Sequence, residues 1–224
     1  AAREPQRPSR IGNAVKVAIF SESYLPYLNG VSVSIRILHE ELTRRGHEVW
    51  IYAPHYRGYQ DQYTTVRRLP SVYTRFEPDY PIALPFAPAL WREFRTLGID
   101  IVHTHTPFFT GIMGARWARR LRIPLVSTYH TLYEEYLHYV PRVVPRAPVR
   151  RLLRWHLRRY YEGVDAVMTP SNIGAEVLRR YGVRKPITPI RNPVLPFPEV
   201  SKAEARAQLG IPEDVWMLLY VGRM

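Results

Sequence analysis

Val15-Lys-Val-Ala-Ile-Phe20, Ser21-Glu-Ser-Tyr-Leu-Pro-Tyr-Leu-Asn-Gly30 and Val31-Ser-Val-Ser-Ile-Arg-Ile-Leu-His-Glu-Glu-Leu42 follow one another without a break, and their reading decides the fold. The first is an apolar run rich in β-branched residues, the second a polar loop closing on Gly, and the third carries apolar residues at helical spacing. Together they predict strand, loop and helix, the first half of a βαβ unit. In such a unit the loop sits at the carboxyl end of the strand, where open α/β sheets bind ligands, and the helix start offers N–H groups to an anion. Gly30 lets a phosphate come close because no Cβ stands in the way; a plain turn is the other reading of the same residue. With one Gly and no G-x-G-x-x-G, the loop lacks a dinucleotide fingerprint, which disfavours NAD.

The same alternation continues outward from this unit. Gly46, a residue type suited to a C-cap, is expected to end the helix before a strand at 47–53 stopped by Pro54. Residues 54–88 are rich in Tyr, Pro and Arg and read as a long excursion with extended pieces at 64–69 and 80–84. Helices are expected at 91–97, 108–121 and 149–161, and a further one capped by Ser171 and ending near 181. Strands are expected at 100–106, 124–128 and 164–168, with a short edge strand at 187–190. Alternating strands and helices imply an α/β, Rossmann-like parallel sheet with right-handed crossovers.

Residues 1–14, mixing Pro, Arg, Gln and Ser without apolar periodicity, are expected to be a disordered lead, and 15–192 the Rossmann-like domain. After Asn192 the character changes to a Pro-rich linker, then Ser201-Lys-Ala-Glu204 forms a capping box for a helix to Leu209, and 216–221 is a strongly apolar strand. A buried-type strand after a linker ordinarily opens a new βαβ unit. Residues 193–224 are therefore expected to be the linker, first helix and first strand of a second domain, cut short at Met224.

The composition, 46% hydrophobic and 23% charged over 224 residues, is that of a globular protein. Cysteine is absent, which excludes a disulfide framework, a thiolate nucleophile and a Cys-based metal site. No apolar run approaches the ~18 residues of a membrane span, nor is there a signal-peptide core, so the expected location is cytoplasmic. The net charge of +13 points to phosphate-bearing partners: nucleic acid, anionic lipid or a nucleotide.

His103 and His105 lie two apart on a strand and so face the same way. They could begin a metal site, but no third ligand stands at a telling spacing, and no metal is expected. Packing within the sheet is one alternative; the other is that residues 104–107, including Thr106, line a ligand cleft. His130 follows the strand that ends at Thr128, where a neutral imidazole can take a proton from a hydroxyl substrate or hydrogen-bond to it; a structural histidine is the competing reading. From Tyr136 to Tyr161 there is no acidic residue and there are seven arginines, at 142, 146, 150, 151, 154, 158 and 159. Leu153, Leu157 and Tyr161 share one helical face while Arg150, Arg154 and Arg158 form a parallel row, an amphipathic basic helix. Each such residue contributes about 1 kcal/mol at an anionic membrane surface, and a solvated charged face is the plainer alternative. Nucleic acid is disfavoured, because no aromatic platform or base-reading motif accompanies the charge.

Ser23-Tyr-Leu-Pro-Tyr-Leu-Asn-Gly-Val-Ser-Val-Ser-Ile35, Val102-His-Thr-His-Thr-Pro-Phe108, Thr128-Tyr-His-Thr-Leu-Tyr-Glu-Glu-Tyr-Leu-His-Tyr-Val-Pro141 and Pro170-Ser171 before a helix resemble the N-terminal domain of a GT4-type glycosyltransferase of the GT-B fold. Within that family the His-Thr block and the basic helix after it are most similar to diacylglycerol glucosyltransferases. The resemblance implies a retaining, metal-independent and cofactor-free enzyme that moves a hexose, glucose, from UDP-glucose to a membrane lipid such as diacylglycerol. It matches Gly30 to the loop near the donor diphosphate, His130 to the active-site histidine, and Arg223 to the arginine that pairs with the diphosphate through its guanidinium fork. Asn29, Thr106, Thr131 and Glu134 are expected to line the acceptor cleft, and Arg150, Arg151, Arg154 and Arg158 to meet the inner face of the cell membrane. Arg191-Asn-Pro-Val194 departs from the Pro-Asn-Gly turn of many relatives.

In that chemistry negative charge builds on the leaving diphosphate, and Arg, Lys and helix-end N–H groups stabilise it. Most of those groups belong to the donor-binding C-terminal domain, so the 224-residue chain alone is expected to be inactive. The rival expectations are a related enzyme with a soluble acceptor, and a non-enzymatic module that binds lipid or nucleic acid.

Overall fold

A computed structural model describes residues 14–74, 80–139, 141, 144–194 and 199–220. The expected lead (all but Ala14), the centre of the expected linker at 195–198, and Arg223 lie outside them. The chain divides into two compact units, Ala1–Pro193 and Val194–Met224.

The first unit runs β1 (Lys16–Phe20), α1 (Gly30–Arg44), β2 (Glu48–Pro54), β3 (Val66–Leu69), β4 (Ser71–Val72), β5 (Ile82–Ala83), α2 (Pro88–Phe94), β6 (Ile101–Thr104) and α3 (Phe109–Leu121). It continues through β7 (Leu125–Thr128), a 3-10 segment (Tyr133–Tyr139), α4 (Arg146–Glu162), β8 (Ala166–Thr169), α5 (Asn172–Arg180) and β9 (Ile187–Pro189). Seven strands form one sheet in the order β3-β2-β1-β6-β7-β8-β9, every neighbouring pair parallel; β4 and β5 form a separate antiparallel pair. The chain builds outward from β1 in one direction, then returns to its other side with β6. That reversal opens a crevice between the loops after β1 and β6, the position where such sheets take ligands.

Both faces of the sheet are covered, and β1 shows why its sequence is apolar at every second position and nearly so between. Val17 and Ile19 pack with Ile35 of α1 and Ile51 of β2, whereas Ala18 and Phe20 face the opposite cluster with Tyr52, Phe94, Met113 and Trp117. Phe20 stacks on Tyr52 at 4.6 Å and meets the edge of Trp117 at 5.5 Å. Burying a side chain of that size contributes about 1.5–3 kcal/mol. Gly114 of α3 sits directly on Phe20, where an added Cβ would come within 2.6 Å of the ring, so a glycine is what lets this helix lie so close to β1.

Helix starts differ from the sequence expectation where proline stands. α2 begins at Pro88 rather than 91, and α4 at Arg146 rather than 149 despite Pro148, because the first turn makes no intrahelical use of the N–H that proline lacks. β6 stops at Thr104, two residues earlier than expected. In the second unit α6 (Lys202–Leu209) carries the Ser201–Glu204 capping box, but residues 216–220 form no strand and are exposed. Among the described residues of that unit there is no strand to pair with them, and an unpaired strand has nowhere to place its N–H and C=O groups except in water.

Candidate active site

The strands that flank the crevice end level with one another. Phe20 pairs with Thr104 and Thr104 with Ser127, so the residues just beyond them, Ser21, His105, Tyr129 and His130, emerge at one mouth. His105 Nδ1 lies 2.8 Å from His130 Nε2 with the two rings stacked, His103 and His105 rings are 4.1 Å apart, and His103 Nε2 is 2.7 Å from Thr128 Oγ1. The structure thus joins to His130 the two histidines that the sequence left between a metal pair and sheet packing. Burial holds all three neutral: His130 is pushed down to about 4, His103 to about 3, and His105 well below its usual value, with repulsion from neighbouring imidazoles adding to the last two. A neutral ring has one donor and one acceptor nitrogen, so His105 and His130 take opposite roles in their bond. His130 spends Nε2 there, and Nδ1 is the ring nitrogen left for a ligand. Among the described residues no three His, Cys, Asp or Glu side chains converge as a metal ion requires.

Across the crevice, the β1–α1 loop is built around Asn29. Its Oδ1 accepts from the N–H groups of Val31 and Ser32 at 2.9 and 2.8 Å, and its Nδ2 donates to Ser23 Oγ at 3.1 Å. Asn29, expected in the acceptor cleft, is the N-cap of α1, and it occupies two of the N–H groups that the sequence reading offered to an anion. Gly30 is the first helical residue; a Cβ there would meet nothing within 4 Å, so nothing in the fold itself requires glycine. The loop is held from outside by Arg68, whose guanidinium donates to the carbonyls of Leu25 and Pro54 and pairs with Asp61 at 2.6 Å. One of two adjacent arginines on a short strand, it gives no sequence sign of that task.

Thr106 is buried, and its Oγ1 accepts from the N–H of Phe108 at 3.3 Å. It also hydrogen-bonds Glu22, whose carboxylate accepts from the N–H groups of Phe109 and Thr110 at the start of α3. α3 has no cap of its own from Phe108, so Glu22 supplies one from another loop. Burial outweighs those bonds and raises Glu22 to about 7. Sequence reasoning passed over Glu22; an acidic residue one position past a buried strand was the available signal.

Thr131 is half-buried and its carbonyl accepts from Tyr133. Glu134, also expected in the cleft, instead ties the 3-10 segment to α4: it pairs with Arg154, whose Nη2 is 2.8 Å away, and with Arg150 at 3.7 Å. Two of the four arginines expected at a membrane thus share one carboxylate. Arg158 lies against Gly182, where an added Cβ would come within 3.2 Å of its Nε, and Arg151 is exposed. The outward face of α4 also shows Leu152 at 64% and Trp155 at 56% exposure, with the Arg159 guanidinium 5.7 Å from the Trp155 ring. No helix among the described residues is long and apolar enough to cross a membrane.

Residues 28–195, the span that contains this crevice, match the domain described as Glycosyltransferase Family 4. The chain belongs to that family. It is 32% identical to alpha-monoglucosyldiacylglycerol synthase of Streptococcus pneumoniae over 94% of this chain and 49% of that protein. It is 28% identical to GDP-mannose-dependent alpha-mannosyltransferase of Corynebacterium glutamicum over 75% of this chain and 41% of that one. Among solved structures, sucrose-phosphate synthase from Thermosynechococcus elongatus superposes with a TM-score of 0.50 at 17% identity, covering 87% of this chain and 95% of that chain, a likeness of fold. The family 4 domain described here spans about half the length of the curated relatives it matches. Its Rossmann-like parallel sheet is the one expected from the alternation of strands and helices.

Proposed function

We propose that this family 4 domain is the acceptor side of a retaining glycosyltransferase that moves glucose from a nucleotide sugar, UDP-glucose, to the hydroxyl of a membrane lipid such as diacylglycerol. The name of the pneumococcal relative supports the lipid acceptor and an alpha product; retention follows for a donor whose sugar is itself alpha-linked. The name of the corynebacterial relative supports a sugar carried on a nucleotide. In this reading His130 presents Nδ1 to a hydroxyl of the reacting sugar or acceptor, held in one tautomer by His105. The loop at Gly30 comes up to the diphosphate. The chemistry asks the protein mainly to orient two substrates and to stabilise charge on the leaving group.

The observation that carries the membrane acceptor is the outward face of α4, where exposed Leu152 and Trp155 stand between Arg151 and Arg159. Apolar side chains enter the headgroup boundary while arginines meet anionic lipid, the arrangement of an interfacial helix. Sedimentation with vesicles of graded anionic lipid tests it. Arg151→Gln with Arg159→Gln should weaken binding by about 2 kcal/mol, roughly thirtyfold, at low salt. Trp155→Ala should weaken it at both low and high salt. A wild-type chain that ignores every vesicle would move the acceptor to a soluble molecule and leave the family unchanged.

A further inference from the structure

Glu22 does more than cap α3. Its Oε1 is sealed from solvent and has no hydrogen-bond partner, and it borders a cavity of about 210 Å³ lined, among the described residues, also by Thr74, Tyr80, Pro81, Ile82 and Phe109. Capping the helix accounts for the bonds to Phe109 and Thr110 but not for the sealed oxygen. A buried acceptor left unmatched is costly, which makes it a mark of something that completes it. Water is a poor candidate, because mostly apolar walls give it few of the partners it needs.

We propose that this cavity is a subsite for the hydroxyl-bearing end of an otherwise apolar molecule, the acceptor of the lipid reading above, on which this inference rests. The hydroxyl donates to Glu22 Oε1, and the carbon body lies along Pro81, Ile82 and Phe109. A cation is disfavoured because burial keeps the carboxyl easy to neutralise and, among the described residues, the walls offer no second anion. The position fits an acceptor: Glu22 bonds Thr106, the residue after His105, and His105 touches His130. The subsite therefore borders the loop after β6 that carries His105.

The test is a calorimetric titration of the 224-residue chain with 1,2-dihexanoylglycerol and with its 3-acetyl derivative, in which the hydroxyl is blocked. Wild type should prefer the free hydroxyl by about tenfold or more, the worth of a hydrogen bond to an ionisable group. Glu22→Gln can keep its oxygen on the α3 N–H groups but turns an NH2 donor toward the cavity, so the preference should vanish while thermal melting confirms the fold. Ile82→Trp, which fills the space, should abolish binding of both compounds. Equal binding of the two glycerides, or a preference that survives Glu22→Gln, overturns the subsite. If neither glyceride binds, 1-hexanol against its methyl ether separates the ideas. A Glu22-dependent preference for the alcohol keeps the subsite and removes the lipid acceptor; no preference removes the subsite, and vesicle binding judges the lipid reading on its own.

Discussion

Two basic regions of this domain meet opposite fates. At the mouth of the sheet, His103 and His105 are buried, His130 is half-buried against them, and all three are held uncharged. On α4 the arginines are exposed to solvent, and two of them are satisfied by one acid, Glu134. Composition counts both as basic. Burial makes the first a neutral hydrogen-bonding device and leaves the second a field that a distant anionic surface can feel.

The largest test of that contrast is acid. An unfolded imidazole takes up its proton near 6.5, the folded His130 near 4 and His103 near 3, so between those values the unfolded chain binds more protons. Stability present above pH 6.5 should therefore be lost as pH falls, on the order of 3 kcal/mol from His130 alone. Glu22 opposes this: its folded pKa is raised to about 7, so its contribution is present at low pH and is lost as pH rises from 4.5 through 7. Urea titrations at pH 4 to 7 should show the net fall toward acid. His130→Gln should flatten it and Glu22→Gln should steepen it; an unchanged slope in both would mean the cluster is open to water.

A second test asks whether the mouth is as tightly built as the outer surface is loose. An added Cβ at Gly111 would come within 1.7 Å of the Thr106 carbonyl oxygen, a backbone atom that cannot swing aside, whereas at Gly30 it would meet nothing. Gly111→Ala should cost about 3 kcal/mol or more in thermal or urea unfolding, and Gly30→Ala should stay within ~0.5 kcal/mol. Similar melting for the two variants would show that α3 can retreat from the 105–107 loop.

The smallest expected effect sharpens the arginine side. Glu134→Gln removes the acid shared by Arg150 and Arg154 while leaving their exposure unchanged. Because these pairs are solvated, stability should fall by no more than about 1 kcal/mol, yet affinity for anionic vesicles should rise as two charges are released. A large loss of stability without a gain in vesicle binding would make Glu134 a structural clamp and nothing else.

Particular residues show where reading stopped short. Asn29-Gly30 could be seen as a loop end facing a ligand, but the sequence did not show that Asn29 would spend its own side chain on α1. His130 was visible at a strand end; its partner His105, 25 positions earlier, was not. Glu134 was read with the cleft because it stands in the same block as His130, and Arg154, 20 positions on, claims it instead.

By itself the sequence determined the parallel α/β sheet, because strand and helix periods are local and repeat along the chain. It also determined the caps at Ser171 and Ser201. Only the tertiary structure decided which basic groups are charged, which acid pairs with which arginine, and that Glu22 would face a cavity. Those depend on strand register and burial, which bring together residues tens of positions apart and set the surroundings in which each proton is held.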